Sequence, residues 1–195
     1  TLATFCNERP VFLRERFSKS YKTVTYFIAR TGINFPFEII YPTVGLIIVY
    51  WATNFGAQTV EEMFKLVLVC NGVYFCAASY GLLYAALIPK LETALALVPV
   101  LVIPFMLLGG FFVNLDEYSD ARVVFYPVMY LSPFKYGFQG GMDAIGISTF
   151  WEKRRPESLA ENMYVLVGIG LMLRLISVVC MQIISNPKRP KMTRI

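Results

Sequence analysis

Histidine is absent from the 195 residues, which excludes imidazole general-base catalysis, His-ligated metal centres and His proton relays. Charge is scarce too. Only 16% of the residues are charged and 56% are apolar, against about 25% and about 45–50% in soluble globular domains. That composition belongs to a membrane. The four cysteines, Cys6, Cys70, Cys76 and Cys180, form no CxxC pair, and two of them share one apolar run. A zinc site or disulfide framework is therefore not expected, and they read as small membrane hydrophobes. The start, Thr1-Leu2-Ala3-Thr4, shows no charged n-region followed by an apolar core, so the reading is a piece of something longer rather than a secretory leader.

What is present is a series of long uncharged stretches. About 20 apolar residues cross a bilayer core, and Ile39–Val60, Leu66–Pro89 and Thr93–Leu115 meet that length directly. A fourth run, Asn162–Pro187, is long enough but carries Arg174 near its centre. Four spans are expected; buried helices of a soluble core would need charged outer faces, which the two central runs do not offer. Arg9, Arg14, Arg16, Lys19, Lys22 and Arg30 precede the first span, and Lys188, Arg189, Lys191 and Arg194 follow the last. Positive charge marks the cytoplasmic side, so both ends read as cytoplasmic, in agreement with an even number of crossings. Asp116–Glu161 is then external or lumenal. Within it, Val123–Phe134 is uncharged but too short to span, which suits a re-entrant helix or, alternatively, a helix lying at the headgroups with Tyr126, Tyr130 and Tyr136 as anchors.

The polar residues near the spans are the informative ones. Glu38 stands at the entrance of the first span between Pro36 and Pro42, where it can snorkel or meet water. Arg174 lies midway along its run, and an intramembrane charge costs several kcal/mol, of order ~3 or more, unless paired or wetted. Snorkelling, a packed partner and a wet cavity wall all remain open for it. Ala77, Gly81 and Ala85 recur every four residues and permit close helix approach. In the N-terminal segment, Asn7 could cap a short helix with Pro10 in its first turn, running through Arg14-Glu15-Arg16; this is either a solvated surface helix or a docking element. The third span has Pro99 and Pro104, then Gly109-Gly110 before Phe111-Phe112. Pro99, Ile103 and Met106 share one stripe, so a kinked helix could face a cavity with the two Phe above it, unless these residues simply face lipid.

At this point the chain resembles a family. Asn7-Glu8-Arg9-Pro10, Arg14-Glu15-Arg16, Tyr21 and Tyr26-Phe27 are similar to the segment leading into the third transmembrane helix of G-subfamily ABC half-transporters, the White and sterol or multidrug exporter group. Pro36 and Pro42 match that helix's prolines. Ile103-Pro104-Phe105 through Gly109-Gly110-Phe111-Phe112-Val113-Asn114 resembles the fifth helix of the White type, and Tyr130-Leu131-Ser132-Pro133-Phe134-Lys135-Tyr136 resembles the external re-entry stretch.

The resemblance implies an all-α membrane protein, an ABC-2 type exporter transmembrane fragment holding family helices three to six. Residues 1–30 would be cytoplasmic coupling and interfacial helices, 31–115 three transmembrane helices, and 116–161 an external loop with re-entrant helices. The last transmembrane helix would be 162–187 and a basic cytoplasmic tail 188–195. It implies that Glu8, Arg9, Arg14 and Glu15 couple to a nucleotide-binding domain, that Pro99, Ile103 and Met106 face the substrate cavity, and that Phe111, Phe112 and Asn114 form an outer gate in place of a paired-leucine plug. Asn34, Glu38 and Arg174 are the intramembrane polar candidates. Asn34 stands where relatives often have an acid, Lys19 where they often have Gly, and the external loop lacks the cysteines of multidrug members. No GxxxxGK[ST] phosphate cradle occurs, so no catalytic residue, metal or cofactor is expected in this chain, and ATP with Mg is implied only for a separate domain. The implied function is ATP-driven export of lipid, sterol or other amphipathic small molecules by alternating access in a homo- or heterodimer. The implied partners are the bilayer, the nucleotide-binding domain, a second half-transporter and the cargo, with no nucleic acid, in the plasma membrane or an organelle membrane. The alternative is a subunit of another ABC-2-type permease or a non-transporting polytopic scaffold.

Overall fold

The computed structural model describes residues 2–18, 21–53, 59–109, 122–145 and 159–184. Within these residues the chain is entirely helical: α1 (Leu2–Phe17), α2 (Thr23–Thr53), α3 (Val60–Leu87), α4 (Leu91–Leu107), α5 (Arg122–Leu131), α6 (Pro133–Ala144) and α7 (Leu159–Ile184). Three helices, α2, α3 and α7, are long and apolar enough to cross a membrane. The remaining expected span, Thr93–Leu115, corresponds to α4, with 17 residues. Leu108 and Gly109 turn at its end, and 110–115 lie outside the described residues.

Local chemistry sets the boundaries. Glu61 and Glu62 occupy the first turn of α3, where negative charge complements the helix dipole. The helix stops at Ile88, which is extended at φ −104° and ψ 115°, the conformation a following proline demands. Pro133 opens α6, at a position where its missing N–H removes no bond.

Two expectations change in the structure. α1 does not begin at an Asn7 cap; it starts at Leu2 and carries Pro10 in its interior. Burial overrides the local signal, because Phe5, Cys6 and Phe12 sink into a cluster with Phe27 of α2 and Leu82, Ala85 and Ala86 of α3. Burying each large side chain contributes about 1.5–3 kcal/mol. Likewise α2 runs without a break from Thr23 through Pro36 and Pro42 to Thr53, so the segment expected as a separate interfacial helix is the first turns of the first span.

The centre of the fold is α3, packed most extensively against α7 and then against α6, α2 and α1. Its buried face runs through Val69, Gly72, Cys76, Ser79, Leu82 and Ala86, steps of three and four that trace one stripe. The Ala77-Gly81-Ala85 stripe is not this face: Ala85 is buried, Gly81 is half-buried near Leu2, and Ala77 is exposed.

The uncharged run 123–134 is not one helix. It breaks at Ser132 into α5 and α6, and the elbow docks on both neighbours: Ser132 Oγ donates to Phe105 O of α4 at 2.8 Å, and Tyr80 Oη of α3 donates to Leu131 O at 2.7 Å. α6 then runs antiparallel to α3, so close that a Cβ on Gly137 would lie 2.5 Å from Val73 Cγ2. Tyr136 is buried and donates to Tyr130 O at 3.0 Å, so it is a packing residue rather than a headgroup anchor. Tyr130 is exposed, and the Tyr126 side chain lies outside what is described. At the far end of α6, Asp143 Oδ2 accepts the Leu159 amide at 3.1 Å and joins α6 to the start of α7.

Candidate functional site

Two clusters of polar residues stand out, one inside the bundle and one at its α1 end. The inner cluster is built on three spans. Glu38 of α2 and Arg174 of α7 form an ion pair at 2.5 Å, with side chains only 6% and 9% exposed. Arg174 Nε also donates to Ser79 Oγ of α3 at 3.0 Å, and the Ser79 hydroxyl donates to Phe75 O at 2.8 Å. The guanidinium carbon stands 4.2 Å from the centre of the Phe75 ring, a cation–π contact of desolvated type. One turn before Arg174, Gly170 makes room for that ring: a Cβ there would lie 2.6 Å from Phe75 Cε1.

This geometry answers how a charge is carried inside the run. Arg174 has a carboxylate, a hydroxyl and an aromatic face, so it neither snorkels nor needs water. Desolvating one charge alone would cost several kcal/mol, on the order of 3–5 when one partner of a buried pair is removed. The pair also fixes α2. Thr23, Phe27 and Glu38 are the buried residues of that helix, and further along it Asn71 Nδ2 of α3 donates to Thr43 Oγ1 at 3.0 Å. Asn34, one turn before Glu38, is half-buried.

At the α1 end, the four coupling candidates divide. Arg9 is buried and its guanidinium donates to Ala85 O at 3.4 Å, a cation at the end of α3 where carbonyls lack helical partners. Burial pulls the Arg9 guanidinium below its ordinary value and pushes the neighbouring Cys6 thiol up. Glu8 pairs with Arg30 of α2 at 2.9 Å and accepts the Tyr26 hydroxyl at 3.1 Å. Glu15 accepts the Tyr21 hydroxyl at 2.6 Å; burial first, then this bond, holds that phenol above its ordinary value. Tyr21 and Tyr26 stack at 5.9 Å, with Phe12 at 4.6 Å from Tyr26. Glu8 and Arg9 are thus spent on seating α1, while Arg14 and Glu15 stand on its exposed side.

The expected cavity stripe on α4 also divides. Met106 lines a cavity of about 470 Å³ between α2, α3, α4 and α6. Pro99 and Ile103 do not line it and are exposed on the outside of the bundle. Phe111, Phe112 and Asn114 lie outside the described residues. Ser79, Phe75, Gly170, Thr43 and Asn71 were not singled out by sequence; Ser79 and Asn71 carried a signal, as polar residues in an apolar run.

The fold and this site define a polytopic helical membrane domain, pinned internally by a buried ion pair, with a polar helix seated at one end. The sequence matches the ABC-2 type transporter family over residues 1–145. It is 30% identical to ABC transporter G family member 1 of Dictyostelium discoideum over 70% of this chain and 17% of that protein. It is 32% identical to Protein white of Drosophila melanogaster over 72% of this chain and 20% of that protein. With the ABC transporter ATP-binding protein/permease wht-1 of Caenorhabditis elegans it shares 30% identity over 68% of this chain and 19% of that protein. The chain belongs to the ABC-2 type transporter membrane-domain family, with relatives among the G-family members and White. It spans about a fifth of the length of these relatives, and an ABC-2 membrane domain does not itself hydrolyse ATP.

Proposed function

We propose that the chain is part of the membrane-spanning half of an ATP-driven exporter of lipids, sterols or other amphipathic small molecules, working by alternating access in a dimer. The observation that supports this most directly is α1. It is anchored to the end of α3 through Arg9 and to α2 through Glu8, while Arg14 and Glu15 face outward. A push on that face is delivered to two spans at once. In this reading a nucleotide-binding domain, supplying ATP and Mg chemistry from elsewhere, presses on Arg14 and Glu15. The α5–α6 hairpin is re-entrant and caps the cavity from the external side, and both chain ends are cytoplasmic. Phe111 and Phe112 close the outer gate.

The test uses the full-length protein in vesicles. Arg14→Glu reverses a charge on the outer face without touching the Glu8 and Arg9 anchors, and Glu15→Lys repeats the reversal beside it. Cargo-stimulated ATP turnover is expected to fall in both variants, with expression and membrane insertion kept. Unchanged stimulation in both would count against coupling through α1 and return it to a solvated surface helix.

A further inference from the structure

α4 is thinly held by the rest of the bundle. Its buried residues are Ala94 and Phe105: Ala94 sits in the core shared by α1, α2 and α3, and Phe105 lies against the Tyr80 ring of α3 at 5.4 Å. Between these two points Leu95, Leu97, Val100 and Ile103 are exposed. Pro99 and Pro104 lie inside the helix, and each lacks the N–H that would bond a carbonyl four residues earlier, that of Leu95 or Val100. The second proline sets off the last turn, Phe105 to Gly109. There the Leu108 N–H bonds Pro104 O at 2.9 Å and the Gly109 N–H turns to Met106 O at 3.3 Å, which leaves the Phe105 carbonyl to a donor outside the helix.

That donor is Ser132, fully buried at the α5–α6 elbow, 2.8 Å away. The elbow is itself held on α3, because Tyr80 Oη donates to Leu131 O at 2.7 Å while the same ring packs on Phe105. At the other end of the turn the backbone comes so near α6 that a Cβ on Gly109 would lie 3.0 Å from Phe134 Cβ. The last turn of α4 thus has a missing rung behind it, and a hydrogen bond, a ring contact and a close backbone approach in front. We infer that Ser132 is a positioning residue: through the Phe105 carbonyl it makes the last turn of α4 part of the elbow, with Pro104 as the joint to the body of the helix. Met106 belongs to this turn and lines the apolar cavity, so that part of the cavity wall follows the elbow. What the wall does in transport rests on the function proposed above; the attachment does not.

The test is distance measurement between nitroxide spin labels in the full-length protein, in a background with native thiols replaced. One label pair stands on Leu107→Cys and Phe125→Cys, across the Ser132 contact, and a second on Leu95→Cys and Leu107→Cys, across Pro104; all three positions are exposed. The first pair should give a narrow distance distribution. Ser132→Ala should widen it about twofold, since a buried hydrogen bond is lost and its acceptor stranded. Tyr80→Phe should widen it too, although the ring against Phe105 is kept, and Ser132→Thr, which retains a hydroxyl, should stay narrow. Ser177→Ala removes a buried hydroxyl of α7 that bonds Leu173 O and should leave the distribution unchanged. An unchanged width in both Ser132→Ala and Tyr80→Phe, or equal widening in Ser132→Ala and Ser132→Thr, would overturn the positioning role. Under trapping with ATP and vanadate, movement of α4 should appear in the second pair and not in the first; a shift of the first pair with the second fixed would overturn the joint at Pro104. A shift in neither would count against the transport reading alone, because the widths are read without ATP.

Discussion

Glu38 and Arg174 are 136 positions apart and meet at one oxygen. Because both are desolvated, the energetic asymmetry between losing one and losing both is large. Arg174→Leu or Glu38→Leu alone leaves an unpaired charge and should destabilise the fold by about 3–5 kcal/mol, whereas the double variant should recover most of that loss. Denaturant unfolding in detergent of the three variants reads the difference; equal losses in singles and double would show that the pair is solvated. Each partner was visible in the sequence as an ionisable residue at a span. Their pairing was not visible. It depends on α3 holding Phe75 and Ser79 between the two helices, and on Gly170 leaving space for the ring, a three-body contact that no local spacing encodes.

At the scale of elements, the apolar runs reappear in α2, α3 and α7, since a run long enough to span has little choice but to be helical in lipid; the run read as Ile39–Val60 is divided, α2 ending at Thr53 and Val60 opening α3. Errors fell where polar and aromatic residues mix. α1 was expected to start near Asn7, but Phe5 and Cys6, upstream of that cap, are drawn into the core; α2 was expected to begin later, but Thr23 and Phe27 are buried in its first turns. The same aromatic seam makes a pH prediction. The Tyr21 phenol is held above its ordinary value in the folded protein, so the unfolded chain loses that proton first. Stability from the α1–α2 seam is therefore full through neutral pH and falls as pH rises above about 10, the ordinary tyrosine value. Tyr21→Phe should flatten that alkaline loss in thermal melts. Glu15→Gln should leave part of it, because burial rather than the carboxylate is the larger cause.

For the whole molecule, α3 is the axis on which opposite ends are defined. Glu61 sits at its start, and α1, with Arg14 on its exposed side, is seated at its finish. If α3 crosses the bilayer, cysteines placed at these two positions, in a background with native thiols replaced, should react with an impermeant maleimide from opposite sides of sealed vesicles. Labelling of both from one side would break the transmembrane assignment of α3. Much of the outer surface of α2, α4 and α7 is large and apolar, as with Ile48, Trp51, Val100, Leu171 and Leu175, which suits contact with lipid and with a second subunit. The family was legible because its motifs are local in sequence. The buried pin and the apolar cavity were not, because each is made by helices distant along the chain.

The hydrogen bond from the Leu159 amide to Asp143 has a consequence for chain length. It holds the end of α6 to the start of α7 directly. Lengthening a connection already closed costs little, about 0.6 kcal/mol for each doubling. A short insertion between these two residues should therefore shift the melting temperature of the α6–α7 pair little while the Asp143–Leu159 bond is kept.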